Sequence, residues 1–164
     1  MKIIILVVLA LIIGRVAWWW FVSRNRPEFP PLEIDENDPL MIAACQKARD
    51  TTPQLLELFT DAKEFTRVKI PFVSNSGVTE HLWADLLSVE GSKINVRYLT
   101  PPATHTGKLE RLHTHDVSDI EDWVITKNPS NYIGGYTMRV MFQRGRELWG
   151  DLPPELKKEE SKYG

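Results

Sequence analysis

Three stretches of this sequence place side chains capable of chemistry close together. The first is His113-Thr114-His115-Asp116, with His105 eight residues earlier. In an extended segment His113 and His115 point to the same side, and imidazole with carboxylate suits a transition metal. No cysteine accompanies them and no H-E-x-x-H spacing occurs, so the set reads better as exposed histidines between two strands, and neither metal nor other cofactor is expected. The second is Glu80-His81-Leu82-Trp83. In a strand His81, Trp83 and Asp85 share one face, mixing polar and aromatic groups as a ligand-facing surface does. His81 could serve there as a general base, with Asp85 as its carboxylate. A histidine without a nucleophile is not a catalytic unit, which favours packing for Trp83 and a loop tie for His81. The third stretch, residues 118–123, gathers Asp119, Glu121 and Asp122 around Trp123. Paired carboxylates do acid–base work or bind calcium, but EF-hand spacing is absent. Asp122 suits a turn cap equally well, and Trp123 suits a core.

Two further features are weaker. Gly134-Gly135-Tyr136-Thr137 lacks both phosphate-loop patterns and reads as a turn or bulge entering a final strand. Cys45 is the sole cysteine, which excludes an intramolecular disulfide and a multi-cysteine zinc site. Without a basic or histidine neighbour in its helix, it reads as an inert thiol.

The elements that must position these groups follow from periodicity. Asp38 caps a helix whose first position is Pro39, with Leu40, Ala43, Ala44 and Ala48 at helical spacing. Thr52 is expected to cap a second helix, with Pro53 first and Leu55, Leu56, Leu58 and Phe59 as its stripe. The period then changes to two. Strands are predicted over about 65–72, 79–89 and 94–98, the last stopped by Pro101-Pro102, then over 117–125 and 136–142. The turns are Asn75-Ser76-Gly77 and Glu90-Gly91-Ser92. This order, helices then strands, is α+β: two helices packed on a small, mostly antiparallel sheet of about five strands, with a partial barrel as the curled alternative. Residues 39–146 form this domain, and 147–164 a polar tail, partly helical or frayed.

The N-terminus has a different character. Residues 3–22 are almost wholly apolar, interrupted only by Arg15 and ending in Trp18, Trp19, Trp20 and Phe21. One helix of that length spans about 30 Å, the thickness of the hydrocarbon core. A cleaved signal peptide would need small residues where Arg15 and the tryptophans stand. Residues 1–23 are therefore expected to be a retained single-pass transmembrane anchor. Arg15 would snorkel toward the aromatic end. The flanking charges, Lys2 against Arg24 and Arg26, leave the side of the soluble domain open. Residues 24–38 form a proline-rich, acidic linker.

The strand motifs Phe65-Thr66-Arg67-Val68-Lys69-Ile70-Pro71-Phe72, Glu80-His81-Leu82-Trp83, residues 119–123 and Gly134-Gly135-Tyr136-Thr137-Met138-Arg139, in this order, resemble the YegJ-like bacterial family, a domain of unknown function numbered 2314. The resemblance spans about 39–142. Glu121 stands where the family pattern of isoleucine, serine, aspartate and tryptophan has serine. The family implies a fold and no transferable activity.

A net charge of −2 gives no general attraction to nucleic acid. The reading that follows is a membrane-tethered, non-catalytic domain with a protein partner, of immunity type in one version. Its recognition surface would be a concave sheet face with His81, Trp83, Asp85, Asp122, Trp123 and Tyr136. One alternative is a hydrolase or metal-dependent enzyme using His81 or the His113/His115 pair. It requires a carboxylate or hydroxyl near His81 and a cleft beside it. Another is an envelope assembly factor.

Overall fold

A computed structural model of the chain describes Arg15, Leu32, Ile34, Asp35 and residues 37–59 and 65–163. Residues 3–22, on which the anchor rests, lie outside the described residues except for Arg15. Among the described residues no helix is long and apolar enough to cross a membrane. The larger compact unit is Leu32–Gly164.

Helix α1 (Pro39–Asp50) starts as its sequence dictates. Asp38 Oδ1 accepts the Leu40 N–H at 2.9 Å, and Pro39 occupies the first turn, where a missing N–H costs nothing. Lys47 and Arg49 in its last turn complement the helix dipole. Helix α2 (Thr52–Phe59) buries Thr52, Leu55 and Phe59. Thr52 does not cap it. Its hydroxyl instead donates back to the Ala48 carbonyl at 3.1 Å, tying the two helices together.

Six strands follow: β1 (Thr66–Val73), β2 (Thr79–Glu90), β3 (Lys93–Tyr98), β4 (Leu112–Asp116), β5 (Asp122–Asn128) and β6 (Asn131–Gly134). They form one antiparallel sheet in the order β4-β3-β2-β1-β5-β6. The sheet is open, with β4 and β6 at its edges, so the partial barrel is corrected. The predicted strand over 117–125 divides into a short 3-10 turn, Val117–Asp119, and β5.

The larger correction concerns residues 136–142, which open helix α3 (Tyr136–Trp149) instead of a last strand. Tyr136, Met138, Val140 and Phe142 alternate, and in a helix covered on two sides the same run puts Tyr136 and Val140 on one side and Met138 and Phe142 on the other. The decisive contacts come from outside the segment and are described below. Helix α4 (Pro154–Glu160) follows, and the tail is anchored: Leu152 and Tyr163 are buried beside Phe142 and Val124.

The sheet buries apolar side chains on both faces. Val68, Ile70, Leu82, Ala84, Ile94 and Trp123 face Ala48, Leu55 and Phe59 of α1 and α2. On the second face Val124 packs with Phe142, Leu152 and Tyr163, and Trp83 and Met138 lie against that group. The remainder of the second face, on β1 and β2, carries the candidate site.

Candidate functional site

Antiparallel register sets this site. Lys69 lies opposite Trp83 and Pro71 opposite His81, so alternate residues of β1 and β2 bring Arg67, Lys69, His81 and Trp83 onto the second face. Just before β5, the Glu121 N–H donates to the Lys69 carbonyl at 2.9 Å, extending the ladder by one rung. That rung fixes the Glu121 side chain beside β2. Its Oε2 accepts from His81 Nδ1 at 2.6 Å, with the carboxylate largely covered and the imidazole more exposed. A carboxylate on Nδ1 fixes the ring orientation.

His81 borders two hollows. One, of about 420 Å³, is lined by Lys69, His81 and Glu121, by Met41, Cys45 and Arg49 of α1, by Met141 of α3, and by Leu32, Ile34 and Asp35. The other, of about 410 Å³, is lined by residues that include Arg67, His81, Trp83, Val124, Met138 and Tyr163. Both volumes fall in the range of small-molecule sites, and both combine apolar walls with a few polar groups. The expectation that Cys45 lacks basic or histidine neighbours is corrected: Arg49 stands one turn on in α1, and the fold adds Lys69 and His81 in the same hollow. Burial nevertheless pushes its thiol pKa up, against the opposing pull of Lys69 and Arg49.

The residues expected to share one surface separate into three groups. His81 and Trp83 lie on the second face and line a hollow together. Asp85 shares their face, but Arg67 and Arg97 hold it, at 3.5 and 2.9 Å, so Glu121 replaces it as the carboxylate of His81. Asp122, Trp123 and Tyr136 are architectural. Trp123 is fully buried against the opposite face, its indole N–H shared between the Ala48 carbonyl and Thr51 Oγ1, both at 3.2 Å. Tyr136 packs edge-on to Trp123, with the Lys47 ammonium 5.3 Å from its ring centroid.

Asp122 is completely buried and accepts four hydrogen bonds: from the N–H of Trp123 (2.8 Å), Tyr136 (3.1 Å) and Thr137 (2.8 Å), and from the Thr137 hydroxyl (2.6 Å). It thereby takes up the free N–H groups that begin α3. Burial pushes its carboxyl above the usual range, while these donors pull the other way. The two glycines complete the junction. A Cβ on Gly134 would lie 2.2 Å from the Trp123 carbonyl oxygen, and one on Gly135, at φ +69°, 2.2 Å from the Tyr163 ring. The Asp-Trp and Gly-Gly-Tyr-Thr motifs therefore lock strand to helix.

The three metal candidates stack on Phe72 and Tyr98 near the β4 edge. His113 lies 4.9 Å from the Tyr98 ring, His115 lies 6.0 Å from it, and His105 lies 5.7 Å from the Phe72 ring. Each has a ring nitrogen engaged: His113 Nε2 donates to the Glu110 carbonyl at 2.7 Å, His115 Nε2 bonds the Tyr98 hydroxyl at 2.8 Å, and His105 Nδ1 accepts from the Asn75 N–H at 3.4 Å. Among the described residues no group of three or more histidine, cysteine or acidic side chains is arranged to hold a metal.

The residues that sequence reasoning missed are Lys69, Arg67, Arg49, Met138 and Met141. Alternation along β1 carried the signal for Arg67 and Lys69. Nothing local marked the α1 and α3 residues, because only the tertiary fold brings them to the sheet. Glu121 did stand out, as an acid in place of a serine, and it is the partner of His81.

No curated protein and no solved structure matches the chain. The family described as an uncharacterized protein conserved in bacteria, the domain of unknown function 2314, matches residues 38–147, from the cap of α1 through most of α3, and the chain belongs to it.

Proposed function

We propose that this chain is a membrane-tethered binding domain, anchored by residues 3–22, that recognises its ligand on the sheet face around His81 and Trp83. The observation carrying this reading is the pair of adjoining hollows that share His81. Binding fits these hollows better than catalysis because the acids that line them besides Glu121 have partners of their own, Asp35 with Asn37 and Glu159 with Lys162, and Asp85, the carboxylate expected for His81, holds two arginines. The tether rests on the length and apolarity of residues 3–22, and its advantage is a raised local concentration at the membrane.

Native mass spectrometry of the full chain released from detergent micelles tests both parts. The expected result is retention in carbonate-washed membranes together with a bound mass that disappears in Trp83→Ala. A chain washed off by carbonate refutes the tether. A bound mass indifferent to Trp83 refutes the site.

A second reading is supported by one distance. His81 lies 2.6 Å from Glu121 beside an open hollow, the arrangement an oriented general base requires. A hydrolytic activity lost in both His81→Gln and Glu121→Gln, with the bound mass retained, would favour it.

A further inference from the structure

The hollow on the α1 side has a charge pattern that the recognition reading leaves unexplained. Lys69 is half-buried in it and Arg49 stands at its edge, and neither makes an ion pair among the described residues. Of the two carboxylates that line the hollow among the described residues, Glu121 is taken by His81. Asp35 accepts from the N–H and side-chain amide of Asn37, at 2.8 and 3.2 Å. Among the described residues, two cations thus face one carboxylate that is not tied to an imidazole. The other walls, Met41, Ile42, Met141, Leu32 and Ile34, are apolar. Methionine walls adapt to irregular apolar shapes, and a covered cation binds an anion more strongly than one in open water.

We infer that this hollow binds a small organic anion with an apolar body, its carboxylate or phosphate held by Lys69 and Arg49 and its body by the methionine wall. The inference rests on the recognition reading above and assigns a ligand class to one of its two hollows. At about 420 Å³ the space accepts a small amphiphile. Lys69 supplies a compact charge from the sheet, and Arg49 a planar fork from the helix end.

Cys45 provides the test, because it is the only cysteine and lines the same hollow. The full chain in nonionic detergent is alkylated with iodoacetamide at mildly alkaline pH and followed by intact mass, with 4-phenylbutyrate, 4-phenylbutylamine or acetate present. Rates are compared with and without each probe within one variant, since removing a cation also changes the thiol. Phenylbutyrate is expected to protect Cys45, and the amine of the same body and acetate are not. In Lys69→Met and in Arg49→Gln the half-protecting concentration should rise about tenfold, the loss of one charge-assisted contact. Arg49 is an exposed helix residue, so its variant keeps the test valid should Lys69→Met fail to fold.

Protection by the amine as strong as by phenylbutyrate overturns the inference, as does protection by acetate alone, no protection at all, or protection unchanged in both variants. Protection present without a probe in phosphatidylglycerol vesicles, but not in phosphatidylcholine vesicles, supports the same chemistry with a lipid headgroup as its source. A Trp83-dependent bound mass that survives with no Cys45 protection would leave the recognition reading standing and remove only this inference.

Discussion

Replacing Asp122 with alanine removes the acceptor on which the start of α3 depends. Four donors lose their partner at once, three backbone N–H groups and the Thr137 hydroxyl, at a position with no solvent access. A buried donor without a partner costs about 1–3 kcal/mol, and the loss of a helix cap about 1 kcal/mol. The simple sum for four donors overshoots, because the hydroxyl can rotate and water can enter the space left by the carboxylate. An expected loss of about 3–5 kcal/mol follows, a large share of the roughly 5–15 kcal/mol that stabilises a typical domain. Asp122→Asn keeps one acceptor oxygen but turns an amide donor toward other donors, and should cost less. Thr137→Val removes a single bond, at about 1 kcal/mol. In Asp122→Ala the Thr137→Val change should cost much less than it does alone, because the two groups act together. Urea unfolding of the full chain in nonionic detergent, followed by near-ultraviolet circular dichroism, measures all four. A loss below about 1 kcal/mol for Asp122→Ala would refute the assignment of Asp122 as the cap of α3.

The other predictions use the same unfolding assay. Gly135→Ala should cost about 2–3 kcal/mol, from a left-handed backbone and a Cβ that meets Tyr163; Tyr163→Ala in the same chain should relieve part of the added strain. The Arg144 guanidinium forks onto Asp38 at 2.7 and 2.9 Å and holds its carboxyl down at about 2. A depressed carboxyl stabilises the fold above its unfolded pKa and loses that contribution as pH falls toward its folded one. The advantage of the natural chain over Arg144→Gln should therefore be full above about pH 4 and vanish toward pH 2. Burial lowers the pKa of His115, so its contribution is present above the unfolded value, near 6.5, and lost as pH falls below it. His115→Gln should flatten the pH dependence of stability in that window, and an unchanged slope would contradict the burial argument.

Some parts of this fold were legible because their causes are local. Asp38-Pro39 marked a helix start, and Pro101-Pro102 closed β3, since both effects belong to one or two residues. The alternation of β1 and β2 correctly placed His81 and Trp83 on one face. The failure at residues 136–142 has a nonlocal cause. The alternation of Tyr136, Met138, Val140 and Phe142 fits a strand or a helix covered on two sides, and the choice of helix comes from Asp122, fourteen residues before Tyr136. The same holds at the site. A tryptophan flanked by carboxylates looks like a surface cluster in one dimension, yet β5 is buried on both faces, which turns Trp123 into the core and Asp122 into a cap. The pairing of His81 with Glu121 crosses forty residues, and no spacing rule reaches that far.

The central claim is the proposal that this domain, tethered by residues 3–22, meets its ligand on the second sheet face, at Trp83. Site-specific photocrosslinking in intact membranes tests it most directly, with benzoylphenylalanine replacing Trp83 in one chain and the exposed Glu90, at the far end of the same strand, in another. A discrete crosslinked species from position 83 and none from position 90 is the predicted result. The same products from both positions, or none from position 83, would contradict it.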